Sequence, residues 1–163
     1  MAKFLLSLHV LVSVLFIGPV AVAVSMFPAR ARAALAGGPG QASGADAGSL
    51  RLLHRITQVY ALLGLAVPLL GIGTAQVMDV LGQSWLIVSM VLTALAALSL
   101  LLFVLPAQQA AVDALGLDET RADDHAGAVR GLRLLPMTAG VFNLLWAVVV
   151  VLMVIRPGST TGA

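Results

Sequence analysis

Residues 4–27 read FLLSLHVLVSVLFIGPVAVAVSMF, a run with no acidic residue, no Lys and no Arg. A bilayer core about 30 Å thick needs about 20 apolar residues in a helix, and a helix satisfies its own backbone polar groups. This run is therefore expected to cross a membrane. Three more stretches match it, at about 56–77, 85–107 and 134–155, the last reading LLPMTAGVFNLLWAVVVVLMVI. The expected fold is all-α: one integral membrane domain over residues 1–163, a four-helix transmembrane bundle of up-down topology. Loops 28–55 and 108–133 connect its long-loop end.

The remaining composition agrees. The chain has 163 residues, 60% hydrophobic and 10% charged, with a mean hydropathy of +1.05. Soluble domains carry about 25% charged residues. So few charges cannot wet a soluble globule, and they disfavour a soluble enzyme, a disordered tail and a nucleic-acid-binding domain. There is no cysteine, hence no disulfide framework and no thiolate chemistry.

Basic residues set the orientation. Arg30, Arg32, Arg51 and Arg55 lie in the first loop, and Arg121, Arg130 and Arg133 in the third, against Lys3 and Arg156 on the other side. Both long loops are therefore expected in the cytoplasm, with N and C termini outside and the chain multi-pass in the cell's inner (plasma) membrane. Lys3 and Ala21-Val22-Ala23 have the look of a signal peptide, but the apolar run continues past that site to Phe27. A retained first span is expected, with residues 1–23 kept. Residues 36–49, AGGPGQASGADAGS, have the composition of a flexible linker. Residues 108–133 are alanine-rich and charged and suit a helix continuing span three into water. Gly18-Pro19 and Pro68 lie inside spans and predict kinks.

Ionisable groups inside a bilayer are costly, so each asks for a reason. His9 lies in span one, where a neutral imidazole can ligate haem iron or a metal, shuttle a proton, or bond a neighbouring helix. His54 opens span two at the opposite boundary and is the weaker candidate. The two lie most of the roughly 30 Å apolar slab apart, so one iron cannot take both. His125, in the acidic third loop, is expected in water. Asn143, inside span four, is a candidate pocket residue; its simpler role is an interhelical hydrogen bond. No carboxylate lies mid-membrane, which weakens a proton-driven transporter. Phosphate-binding glycine loops, HExxH and nucleophile elbows are absent from the sequence.

Leu8-His9-Val10-Leu11, followed by Phe16-Ile17-Gly18, resembles the first helix of a group of small bacterial membrane proteins. That group includes HemJ-type protoporphyrinogen oxidases and the membrane domain of CopD copper-resistance proteins. His9 and Phe16 keep the seven-residue spacing of that helix. Arg133-Leu134-Leu135-Pro136, with a span closing at Ile155-Arg156-Pro157, is similar to HemJ's last helix. The chain also resembles a family of small integral membrane proteins of actinobacterial type, in keeping with its eight Arg against one Lys. It departs from HemJ at Met26-Phe27-Pro28-Ala29-Arg30, where HemJ has a further His, and at Leu135, where HemJ carries Asn and an acidic residue.

The HemJ resemblance implies haem or another tetrapyrrole as cofactor, with His9 as the haem ligand; the CopD resemblance implies copper or small-ion transport. The residues themselves favour a third role, a non-enzymatic accessory or packing subunit. Its partners would be the lipid bilayer and a membrane protein or a second copy of the chain, with no nucleic acid. No catalytic residue and no metal site are assigned.

Overall fold

The computed structural model describes residues 1–38, 41–116 and 122–158. It is all-helical among these residues, with four helical rods long and apolar enough to cross a membrane. The first is α1 (Ala2–Leu35). The second is α2 (Gly44–Gly64) with α3 (Ala66–Val77). The third is α4 (Ser84–Ser99), a π-helical segment (Leu100–Val104) and α5 (Leu105–Ala114). The fourth is α7 (Leu135–Ile155), preceded by the short α6 (Ala122–Gly131).

Each rod outruns its apolar run. The 34 residues of α1 extend about 50 Å at 1.5 Å per residue, against a core of about 30 Å. The excess lies at the end carrying the two long connections, termed the loop end. The stretch with linker composition is shorter in fact than in composition. Ser43 caps α2, its hydroxyl accepting from the Asp46 N–H at 3.1 Å and donating to Asp46 Oδ2 at 2.6 Å. Ala47 and Leu50 then turn into the core. Residues 39–40 of that stretch lie outside the described residues, as do Asp118, Glu119 and Arg121 of the third connection.

Proline acts where the ladder is least supported. α1 runs unbroken through Pro19 and Pro28, so the expected kink at Gly18-Pro19 does not end the helix. Pro68 has no N–H for the Gly64 carbonyl, and the rod breaks there, at Leu65, whose N–H turns back to the Leu62 carbonyl at 3.2 Å. Pro106 likewise lacks the N–H that the Leu102 carbonyl would use. The turn just before it widens to the π form, with the Leu105 N–H reaching the Leu100 carbonyl.

α1 packs along α2 and α3, and α4 along α7; contacts of α1 with α7 and of α2 with α5 close the ring. The main apolar core fills the loop-end half, around Val24, Phe27, Leu50, Val104, Leu135 and Phe142. A second, small cluster of Ala75, Val80, Trp85 and Leu86, with Met153 beside it, closes the terminal end. There the Arg156 guanidinium lies 5.6 Å from the Trp85 ring centroid, a cation–π contact. Only 11–22% of each apolar stretch is buried within the chain. The remaining apolar area needs lipid or another protein against it.

Candidate functional site

The structure separates the polar residues into three places. At the terminal end, α1 lays His9 against α3. The imidazole is 6% exposed, and its Nδ1 has no hydrogen-bond partner. Gly71 makes room for it: a Cβ there would sit 3.1 Å from His9 Cε1. A neutral imidazole can therefore bring its Cε1 close to the α3 backbone at Gly71, at the cost of one unsatisfied nitrogen.

At the loop end lies a relay that runs from a buried pair, His54 and Gln108, to the exposed Gln109 and Asp113. His54 is 6% exposed and Gln108 fully buried. His54 Nε2 faces Gln109 Oε1 at 2.8 Å, and Nδ1 faces Gln108 Oε1 at 3.2 Å. Gln109 Nε2 donates to Asp113 Oδ1 at 2.8 Å. A carboxylate only accepts, which fixes the Gln109 amide with its oxygen toward His54. Nε2 of His54 must then carry the proton. In the neutral ring Nδ1 is an acceptor, and a half-turn of the Gln108 amide supplies it with the N–H that otherwise has no partner. The wide turn at Leu100–Val104 sets this register. One extra residue in a turn rotates the helix beyond it by about 100°. His54 thus has both nitrogens occupied by amides, whereas His9 has one free.

Between the two, Asn143 of α7 bonds α1. Its Nδ2 donates to Ser25 Oγ at 2.9 Å, and the Ser25 hydroxyl donates on to the Ala21 carbonyl at 2.7 Å. Asn143 Oδ1 is buried without a partner. An open groove of about 320 Å³ runs beside this bond between α1 and α7, with Arg32 and Pro136 at its mouth. Asn143 thus makes an interhelical bond and lines this groove. Neither this groove nor a second one along Leu6, Val10 and Val14 is lined by His9 or His54.

His125 is a correction to the sequence reading. It is 8% exposed, with Nδ1 unpartnered. It shares one face of the α6 segment with Ala128 and Leu132, at i+3 and i+7, and that face packs onto the main core. Gln108 and Gln109 went unread as site residues, because hydropathy places them just past span three. Their only signal was that two amides follow a proline at a helix's wet end.

Most remaining hydroxyls within the rods are spent locally. Ser13, Thr57, Thr74, Ser89 and Thr93 each donate to the carbonyl four residues back, at 2.7–3.0 Å. Among the described residues no three His, Cys, Asp or Glu side chains come together. No protein-family model, curated protein or solved structure matches the chain, so its reading rests on its own residues.

Proposed function

We propose that the chain is a multi-pass protein of the inner (plasma) membrane, an accessory or packing subunit with no chemistry of its own. Both long connections lie in the cytoplasm and the termini outside. The observation that supports this is the local spending of polar groups. Hydroxyls bond their own helices, Asn143 bonds Ser25, and His54 is bracketed by two amides, and among the described residues no three His, Cys, Asp or Glu side chains come together as a reacting cluster. The large apolar area left uncovered is what a helix partner would use. Basic residues at the loop end favour the cytoplasmic side through the positive-inside rule.

A second reading has one observation in its favour. His9 Nδ1 is unpartnered, and an imidazole nitrogen of that kind is what an axial ligand needs. The donor therefore suits a tetrapyrrole. The space around it does not, because Nδ1 is sealed by protein and the ring rests on Gly71. α1 and α3 would have to part to admit a macrocycle. A copper role would have to be built on His9, and Met26, 17 residues further along the same helix α1, lies about 25 Å away; an imidazole without a nearby thioether or thiolate is a poor copper site.

An optical spectrum of protein purified in detergent, after expression with haem supplied, separates the readings. Expected is no Soret band, together with a reproducible cross-linked partner or homo-oligomer from native membranes. A Soret band that His9→Ala abolishes would replace the first reading with the second.

A further inference from the structure

We infer that the groove between α1 and α7 holds the phosphate and glycerol portion of one anionic glycerophospholipid. Its walls are Ser25, Pro28 and Arg32 from α1 and Ala139, Gly140 and Asn143 from α7. Along α1 the seven residue steps from Arg32 to Ser25 span about 10 Å. The apolar run ends at Phe27, so Arg32 stands at headgroup depth and Ser25 just inside the hydrocarbon boundary. A guanidinium above, a floor of small residues and an amide–hydroxyl pair below follow the order of a lipid's own groups. Phosphate comes first, then glycerol and esters, then chain.

Two features leave this place open to a ligand. A Cβ built on Gly140 meets no atom within 4 Å, so no side chain fills the space over this exposed glycine. Asn143 and Ser25 are joined across the deep end at 2.9 Å, which fixes the spacing of the walls. A second copy of the chain fits this place poorly. A two-fold contact through the same patch would set one Arg32 near another, and like charges repel strongly away from water. Free phosphate would leave the apolar floor uncovered.

The test is lipid retention read by native mass spectrometry. The protein is reconstituted into vesicles of equal phosphatidylglycerol and phosphatidylcholine and then extracted into detergent. Expected is one retained phosphatidylglycerol per chain. Arg32→Gln should lower its retention about tenfold, the loss that a charge-assisted hydrogen bond implies. Arg51→Gln removes an exposed cation from α2 outside the groove's walls and should leave retention within about twofold, as expected of a screened surface charge. Gly140→Leu fills the floor without changing charge, and should also release the lipid while the helical circular dichroism stays intact. Equal losses from Arg32→Gln and Arg51→Gln, equal retention of phosphatidylcholine, or full retention in Gly140→Leu would each overturn the inference.

Discussion

Replacing His54 by Leu probes the hydrogen-bond relay that ties α2 to α5. The substitution keeps an apolar side chain in the core but removes both ring nitrogens. Gln109 is exposed and can turn to water, whereas Gln108 is fully buried and cannot. Stranding one buried amide costs about 1–3 kcal/mol, and interhelical hydrogen bonds in membrane proteins average about 0.6 kcal/mol each. A net loss of about 2 kcal/mol is expected once the apolar gain of Leu offsets part of it. Equilibrium unfolding in mixed micelles measures it. Gln108→Leu alone should also destabilise, because it strands His54 Nδ1. The double variant should recover much of the loss, with a coupling of about 1–2 kcal/mol, since removing both partners is cheaper than removing one. An unchanged His54→Leu protein, or strictly additive effects, would refute the relay.

Two further substitutions test the other polar places. Gly71→Val should destabilise by about 1–3 kcal/mol through overpacking, because its Cβ lands 3.1 Å from the His9 ring. Gly73→Ala, where a Cβ meets nothing within 4 Å, should be neutral or stabilising; thermal unfolding in detergent compares the pair, and similar losses from both would contradict the placement of His9. Asn143→Ala should cost about 0.6 kcal/mol and at most about 2, and a double-mutant cycle with Ser25→Ala should recover that as coupling. A cycle with zero coupling would show that the two side chains do not meet.

The four helices long and apolar enough to cross a membrane were legible from hydropathy, because uncharged runs of this length have few other uses. The continuation of span three past residue 107 was legible too and is seen as far as Ala114, but the start of α2 was not. Ala47, Leu50 and Leu53 supply an apolar stripe for the extension of α2, yet they sit among glycines and serines that dilute the average. At Pro68 the disturbance read from the sequence coincides with the break at Leu65, whereas Pro19 lies inside a continuous α1; both remove one N–H, and the surrounding packing decides whether the helix ends. His9 stood out because it interrupts an oily run. Its neighbour Gly71 could not be named, being one of several glycines in span two. The His54 relay was beyond reach. Its partners lie 54 and 55 residues away, and their register depends on a wide turn that no periodicity announces. His125 was misplaced because its local composition is acidic, while its burial comes from Ala128 and Leu132 further along the same face.

Site-directed labelling tests the membrane reading most directly. The chain has no cysteine, so single replacements at Gln41, Gly82 and Ala126, all exposed, can be labelled in intact cells with a membrane-impermeant maleimide. Expected is labelling of Gly82→Cys from outside, with Gln41→Cys and Ala126→Cys reacting only after the membrane is opened. Labelling of all three from one side, or of the Gln41 and Ala126 positions from outside, would contradict four crossings with the arginine-bearing connections facing the cytoplasm.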